Sequence, residues 1–244
     1  MGPRVGDAFG AAFLAQSDQD GDLGCLTVER DDGFIDCDPI SMYFSGWTDL
    51  EAAGWNYIGR RVLDVGAGAG RHSLELQERG HEVVALDVSE GAIEVCRRRG
   101  VRETFHGTLA DLAAREPEPF DTALLFGHNL GLLQSPEEAG SFLDCLARLC
   151  RPEGRVVGTN RDPYRTDDSL HLAYHRRNRE QGHMAGQLRL RIRWREVATD
   201  WFDLLFCSPD ELVTLIRRHG WRPTDRAIDG SSYLAVLQPP VAHG

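Results

Sequence analysis

Three glycines, Gly66, Gly68 and Gly70, alternate with alanines in a short stretch that is typical of a ligand-binding loop. Glycine lets the backbone adopt positive φ angles and approach a ligand closely. The free amides at the start of a helix also offer hydrogen-bond donors to an anionic or oxygen-rich group. Asp64 before the loop suits an ammonium group, and Asp87 further along the chain could accept hydrogen bonds from both hydroxyls of a ribose. The spacing predicts a site for an adenosine that carries an amino acid.

A buried strand, a tight turn and a helix must position this loop. Residues 62–65 form a short apolar strand, Leu74 and Leu76 begin a helical pattern, and a second strand over 82–87 ends in a carboxylate. The dinucleotide fingerprint G-x-G-x-x-G would place its third glycine where this sequence has Arg71. The loop is G-x-G-x-G instead, which disfavours a nicotinamide dinucleotide.

The run Asp-Val-Gly-Ala-Gly-Ala-Gly, followed by Asp87, resembles the cofactor-binding signature of the class I S-adenosylmethionine-dependent methyltransferases. The resemblance extends from about residue 61 to residue 160 and implies S-adenosylmethionine as the cofactor. It assigns the ammonium contact to Asp64 and the ribose contact to Asp87. The remaining cofactor contacts that it implies come from Gly66, Ala67, Gly68, Gly70, Val88, Thr108, Leu109, Phe126 and Gly127. Thr108 stands where the family usually has an acidic residue, so the adenine contact there can come from the backbone or from Asp111.

Alternating strand and helix patterns predict an α/β fold with a Rossmann-like, mostly parallel sheet of seven strands and helices on both faces. The resemblance implies that the last strand runs antiparallel. We expect an N-terminal lid over 1–58, a cofactor-binding core over 59–160, an insert with a β-hairpin over 161–207, and a closing helix and strands over 208–244.

Aromatic residues are frequent in the N-terminal region, and three of them are lid candidates: Tyr43, Phe44 and Trp47. In related enzymes, a segment of this kind covers cofactor and substrate, and Tyr43 is therefore a candidate substrate contact. The alternative is that these side chains only pack the N-terminal helices onto the core.

Two histidines are candidates for a catalytic base or a group that orients the acceptor. His128 follows the strand over 120–126, at the edge where open α/β sheets bind ligands, and its ordinary pKa suits proton transfer near neutrality. His72, at the start of the first core helix, is the second choice. Either imidazole could instead only bond to the loop backbone, and Asn129 could orient substrate or cap a turn.

An arginine row alternates with apolar residues over 188–195 and predicts a β-strand. Its charged face is either solvated or a funnel for a carboxylate or phosphate, since arginine binds such groups bidentately. Arg161, Tyr164 and Trp201 are further candidates for the acceptor pocket. The same hairpin could pair across a dimer axis.

Composition excludes several function classes. The chain has 244 residues, a net charge of −11 and no lysine, which rules out Schiff-base and P-loop lysines and disfavours nucleic acid as a partner. Six scattered cysteines favour reduced, buried thiols over a disulfide framework or a zinc site, and no metal is expected. We find neither a secretory signal nor a membrane span, and expect a cytoplasmic protein.

The sequence predicts a methyltransferase that acts on a small-molecule acceptor, anionic in one interpretation, by methylating oxygen, nitrogen or carbon. One alternative is a cyclase or alkyltransferase that uses the same cofactor without methyl transfer. Another is a non-catalytic protein that binds S-adenosylmethionine. Both a monomer and a homodimer are compatible with the sequence.

Overall fold

The computed structural model describes residues 3–19 and 21–240, so the outermost residues of the expected lid and closing regions lie outside it. Its strands are β1 (Arg4–Val5), β2 (Cys25–Arg30), β3 (Ile35–Pro39), β4 (Arg61–Val65), β5 (Glu82–Asp87), β6 (Glu103–His106), β7 (Phe120–Leu125), β8 (Cys150–Arg161), β9 (Gln187–Trp194), β10 (Val197–Ala198), β11 (Phe202–Leu205), β12 (Arg222–Asp229) and β13 (Ser232–Gln238). Its α-helices are α1 (Ala8–Ser17), α2 (Asp49–Ala52), α3 (Arg71–Glu78), α4 (Glu90–Arg99), α5 (Leu109–Ala113), α6 (Ala139–Leu149), α7 (Ser169–Glu180) and α8 (Pro209–Arg217). Short 3₁₀ helices occupy Ile40–Phe44, Trp55–Tyr57 and Asn129–Leu133.

The larger sheet has seven strands in the order β12-β13-β8-β7-β4-β5-β6. Strands β5 and β6 are parallel, as are β7 and β8. Strand β13 runs antiparallel to both β8 and β12. The expected seven-stranded, mostly parallel α/β fold with an antiparallel last strand is confirmed. The chain adds β5 and β6 on one side of β4 and places β7 on the other, so the strand order reverses beside β4.

Local capping hydrogen bonds fix the ends of two helices. The Ser89 hydroxyl accepts a hydrogen bond from the Ala92 amide at the start of α4, and Gly100 closes that helix in a left-handed conformation. Ser208 and Glu211 form a reciprocal capping box at the start of α8. Residues 136–138 form a turn, and α6 begins after it at Ala139.

A smaller sheet combines the N-terminal region with the insert, which the sequence did not reveal. Strands β1, β10, β9, β2 and β3 lie side by side in that order. The hairpin expected in the insert is present, because β11, within the expected partner segment 199–207, pairs with β9. Strand β9 also pairs antiparallel with β10 and with β2. Ile192 and Trp194, on the apolar face of β9, pack into a core cluster with Phe13, Leu26 and Ile40.

The arginine row is neither simply solvated nor a free anion funnel. Arg191 Nε and Arg193 Nη2 pair with the Glu29 carboxylate of β2 at 2.5 and 3.1 Å. The Arg191 guanidinium also lies 4.8 Å from the ring centroid of Trp201. Two of the four arginines therefore hold the smaller sheet together across the β2–β9 pair.

Two of the six cysteines form a disulfide, although the sequence favoured reduced thiols. Cys25 and Cys37 form a disulfide between the antiparallel strands β2 and β3, with their Cα atoms 5.6 Å apart. Cys96, Cys145, Cys150 and Cys207 are free and buried. Burial raises the pKa of three of these thiols to about 12, so they stay protonated at neutral pH: Cys96, Cys150 and Cys207.

The chain consists of two compact units, judged by contacts within each. One comprises the described residues of 1–47, 64–108 and 189–202, and the other those of 48–63, 109–188 and 203–244. The four regions expected from the sequence, namely the lid, the core, the insert and the closing segment, were defined by their expected roles, and they remain predictions. Within the described part of the chain, no helix is both long enough and apolar enough to span a bilayer.

Replacement of Gly10 by alanine should destabilise the protein by about 2 kcal/mol, because an added methyl group would overpack the contact between α1 and α4. A Cβ atom at Gly10 would lie 2.7 Å from the Cα atom of Gly91, a backbone atom that cannot move aside alone. The measurement is the free energy of unfolding in urea. Gly46→Ala is the matched control, because nothing lies within 4 Å of its added Cβ atom. Equal stability of the two variants would contradict the prediction.

Candidate functional site

The glycine loop joins the end of β4 to the start of α3. Gly66, Gly68 and Gly70 have φ angles of +72°, +57° and +79°, a region that side chains strongly disfavour. The amides of Gly66 and Ala67 both donate to the Leu86 carbonyl of β5, at 2.8 and 3.0 Å. Alternating glycines are therefore needed for the backbone path itself, and the loop is fixed against the neighbouring strand.

Asp87 at the end of β5 meets this loop directly. Its Oδ2 atom accepts a hydrogen bond from the Gly68 amide, and its Oδ1 atom accepts one from the Ser89 amide, both at 2.9 Å. Burial raises the pKa of Asp87 above its ordinary value, the two amides oppose this, and the negative charges of Asp7 and Asp64 add to it. A carboxylate has about four acceptor positions, so Asp87 can still accept hydrogen bonds from two hydroxyl groups of a ligand.

Asp64 is buried, with 1% of its surface exposed, and its carboxylate accepts a hydrogen bond from the Ser73 hydroxyl at 2.7 Å. Ser73 lies in the first turn of α3, so this bond ties β4 to the helix on the far side of the loop. The expected contact of Asp64 with an ammonium group remains a prediction. The structure adds a second role for Asp64, as a brace for the loop.

Aromatic side chains cover the loop. A Cβ atom built on Gly68 would lie 3.6 Å from Tyr43 Cδ1 and 3.7 Å from Phe13 Cε2. The rings of Tyr43 and Phe13 are 4.9 Å apart, so Tyr43 packs against α1 and also faces the loop. Burial raises the pKa of the Tyr43 phenol above its ordinary value, and Asp38 and Asp87 raise it further. Tyr43 is therefore a neutral cover at physiological pH.

The other two lid candidates, Phe44 and Trp47, pack against side chains of α4 and α3. The Arg99 guanidinium lies 4.9 Å from the ring centroid of Phe44, and the rings of Trp47 and His72 meet edge to face at 5.6 Å. His72 is 5% exposed in the first turn of α3. A role of His72 as a base remains a prediction, and the burial of its ring against Trp47 does not favour that role.

Val88 and Thr108 flank Asp87 at the edge of the sheet. Asp87 stands opposite His106 in the parallel pair of β5 and β6, and the Gly107 amide donates to the Asp87 carbonyl at 3.0 Å. The Val88 side chain is 66% exposed despite being apolar, and Thr108 is also exposed. An exposed aliphatic surface beside the Asp87 carboxylate suits the face of a nucleobase, and the cofactor contacts expected of Val88, Thr108 and Asp87 remain predictions.

A second group of candidates lies in the other unit, where β7 ends. Gly127 and His128 both have left-handed backbones, with φ angles of +65° and +67°. The His128 backbone amide donates to Thr159 Oγ1 at 2.9 Å. The Nε2 atom of the His128 ring lies 3.1 Å from Ser232 Oγ. A left-handed conformation outside glycine is uncommon and persists only where neighbours hold it. His128 is therefore a well-positioned imidazole.

The remaining candidates in this unit differ in exposure. Phe126 and Leu109 are 1% and 7% exposed, and the cofactor contacts expected of them remain predictions. The Asn129 backbone amide donates to the Phe126 carbonyl at 3.3 Å, and the two roles expected for its side chain, orienting substrate or capping a turn, remain predictions. The Arg161 guanidinium lies 5.7 Å from the ring centroid of Phe206, whose ring is 5.9 Å from that of His128.

Two predicted substrate residues are engaged elsewhere. The Tyr164 hydroxyl donates to Glu211 Oε1 at 2.5 Å, and Trp201 contacts the smaller sheet through Arg191. The described residues hold no group of three or more His, Cys, Asp or Glu side chains arranged to bind a metal ion.

Sequence reasoning missed several residues that support these sites: Phe13, Ser73, Thr159, Phe206 and Ser232. Except for Ser73, which is nine residues from Asp64, their contacts join elements far apart in the chain, and no local pattern marks them. Asp7 is different, because it precedes a small-residue helix in the position of an N-cap, a signal that can be read from sequence.

Comparison with known proteins matches residues 62–154 to a family model described as a methyltransferase domain. A "Ubiquinone biosynthesis O-methyltransferase" from Ruegeria pomeroyi is 30% identical over 177 residues, which cover 70% of this chain and 63% of that protein. A "Demethylmenaquinone methyltransferase" from Clavibacter sepedonicus is 38% identical over 104 residues, or 41% of this chain and 40% of that protein. The chain thus spans less than two thirds of the length of these curated relatives.

Among solved structures, a SAM-dependent methyltransferase from Bacteroides fragilis, crystallised with S-adenosyl-L-homocysteine, matches with a TM-score of 0.82. The two chains are 27% identical, and the match covers 96% of this chain and 95% of the other. The similarity therefore includes both the larger sheet and the N-terminal region that covers the loop.

Replacement of Ser73 by alanine should destabilise the protein by about 2 kcal/mol, because it removes a hydrogen bond to a buried carboxylate. The measurement is the free energy of unfolding in urea. Ser17→Ala is the control, since the Ser17 hydroxyl also makes one hydrogen bond but is exposed. In an Asp64→Ala background, Ser73→Ala should cost much less. An undiminished effect there would show that the two side chains do not act together.

Proposed function

Because the chain belongs to the class I S-adenosylmethionine-dependent methyltransferases, we propose that it transfers a methyl group from S-adenosylmethionine to a small-molecule acceptor. The observation that carries the proposal is the Asp87 carboxylate, which the Gly68 and Ser89 amides hold beside the glycine loop. The Bacteroides fragilis methyltransferase was crystallised in complex with S-adenosyl-L-homocysteine, which supports the choice of cofactor.

The residues around the loop fit the parts of this cofactor. Asp87 has acceptor positions left for both ribose hydroxyls, and the exposed Val88 side chain with Thr108 suits the adenine. Gly66 and Gly68 have no Cβ atom, so the loop backbone can approach the amino-acid portion closely there, whereas Gly70 faces the side chains of Cys96 and Val101. The buried carboxylate of Asp64 supplies negative charge near the end of β4, which favours an ammonium group.

The cofactor supplies an activated methyl group when bound, so the protein contributes mainly orientation and exclusion of water. Orientation of two reactants can lower a barrier by about 7–11 kcal/mol. Tyr43 and Phe13 cover Gly68 with apolar ring surface, which keeps water from this part of the loop. Tyr43 stays protonated, so the cover adds no negative charge beside Asp87.

The acceptor is a small molecule, and we propose that it is methylated on oxygen. One curated relative is named a ubiquinone biosynthesis O-methyltransferase and another a demethylmenaquinone methyltransferase, and the first of these names supports an oxygen acceptor. A hydroxyl acceptor must lose its proton, which requires a base. His128 is the candidate, because Thr159 and Ser232 hold it in one conformation. Arg161 remains the candidate for an anionic group on the acceptor, and both a monomer and a homodimer remain open.

Replacement of Asp87 by asparagine should weaken binding of S-adenosylhomocysteine by about 10- to 100-fold, because hydrogen bonds to a charged acceptor contribute about 1.5–3 kcal/mol. The measurement is calorimetric titration. Glu82→Gln is the matched control: it removes one carboxylate from the opposite, exposed end of the same strand. Binding of NAD instead of S-adenosylhomocysteine by the wild-type protein would overturn the proposed function.

Replacement of His128 by alanine should lower methyl transfer by about 100-fold or more, the range of general-base catalysis, and leave cofactor affinity unchanged. The assay uses methyl-labelled S-adenosylmethionine with a panel of phenolic and quinol acceptors, and counts one methylated product per S-adenosylhomocysteine. His183→Asn, an exposed histidine elsewhere in the same unit, is the control. Unchanged methyl transfer in His128→Ala would show that His128 is not the base, and orientation of the reactants would then be the protein's only proposed contribution.

A further inference from the structure

Asp7 joins the N-termini of two helices. Its Oδ1 atom accepts a hydrogen bond from the Gly10 amide of α1 at 2.8 Å. Its Oδ2 atom accepts one from the Gly91 amide of α4 at 3.0 Å and one from the Ser89 hydroxyl at 2.8 Å. One carboxylate therefore caps α1 and binds the first turn of α4, and its bond to Ser89 joins residues 82 positions apart in the sequence.

The geometry of this junction is fixed by close backbone contact. A Cβ atom built on Gly91 would lie 2.5 Å from the Cα atom of Gly10, so only glycines allow the two helices to approach this closely. Both helix N-termini carry partial positive charge, which favours a carboxylate at their meeting point. A neutral side chain of the same shape could accept a hydrogen bond from one helix N-terminus, but it would lack the negative charge that both N-termini favour.

Ser89 connects this junction to the candidate cofactor site. Its hydroxyl donates to Asp7 and accepts from the Ala92 amide, which fixes the side chain. Its own amide donates to Asp87 Oδ1 at 2.9 Å. Asp87 Oδ2 in turn accepts from the Gly68 amide. A continuous hydrogen-bonded chain therefore runs from Asp7 through Ser89 and Asp87 to the glycine loop.

We propose that Asp7 is a positioning residue of the cofactor site, which fixes Ser89 and thereby aims the Asp87 carboxylate at the ribose hydroxyls. This inference rests on the proposed function, since it assigns Asp87 to the cofactor. Asp7 itself does not touch the ligand. The same helix, α1, carries Phe13, which lies over Gly68, so Asp7 also anchors part of the cover.

The test is calorimetric binding of S-adenosylhomocysteine to Asp7→Asn. Asparagine remains a good N-cap for α1, but its amide nitrogen cannot accept from Gly91. We expect a loss of affinity of about fivefold, which corresponds to one hydrogen bond of about 1 kcal/mol. The matched control is Asp18→Asn. Asp18 pairs with Arg98 at 3.1 Å and so links the other ends of α1 and α4, far from Asp87 along both helices.

A double-mutant cycle separates positioning from general stability. If Asp7 acts through Asp87, Asp7→Asn should have little effect on affinity in an Asp87→Asn background. A merely structural role would reduce affinity by the same factor in both backgrounds. If Asp7→Asn does not fold, Ser89→Ala provides the cycle, because it removes the hydroxyl that Asp7 holds and leaves the cap of α1 intact.

The outcomes distinguish this inference from the proposed function. A wild-type protein that fails to bind S-adenosylhomocysteine overturns both. Wild-type binding with unchanged affinity in Asp7→Asn overturns only the positioning role, as does an equal loss in Asp18→Asn or full additivity in the cycle. Selective loss in Asp7→Asn together with non-additivity supports it.

Discussion

The hydrogen bond between the Gly68 amide and the Asp87 carboxylate is the constraint on which the candidate site depends. Withdrawing a carboxylate from water is costly unless donors replace the lost hydration. Here two backbone amides do so, and backbone donors cannot rotate away as side chains can. Gly68 can present its amide only because its φ angle of +57° turns the chain toward β5. The loop and the carboxylate therefore hold each other in place.

The cover of the loop depends on a sheet that the sequence does not display. Phe13 and Tyr43 reach Gly68 because α1 and the 3₁₀ helix after β3 pack on the smaller sheet. That sheet joins β2 to β9, which lie more than 150 residues apart, and the ion pairs of Glu29 with Arg191 and Arg193 span the junction. Residues of the insert thus help to position the N-terminal cover, although neither segment contains the loop.

What the sequence predicted correctly was local. The strand ending in Asp87 follows from an apolar pattern within one strand, and the tight turn before α3 follows from the glycine spacing. The disulfide between Cys25 and Cys37 and the pairing of β2 with β9 were missed because they depend on which strands meet. The arginine row illustrates the same limit, since its alternation predicted the strand but could not reveal a glutamate on a distant neighbour.

The composition of the cover has a consequence for the charge of the site. Asp64 and Asp87 bring two carboxylates close to one loop, and a third ionised group above it would raise the cost of keeping both charged. Tyr43 avoids this, because burial and the nearby carboxylates raise the pKa of its phenol and keep it neutral. In the proposed site, a cationic ligand would meet negative charge from the sheet side and the neutral rings of Tyr43 and Phe13 from the covering side. This asymmetry favours a ligand that, like a sulfonium nucleoside with an ammonium group, carries positive charge and apolar surface together.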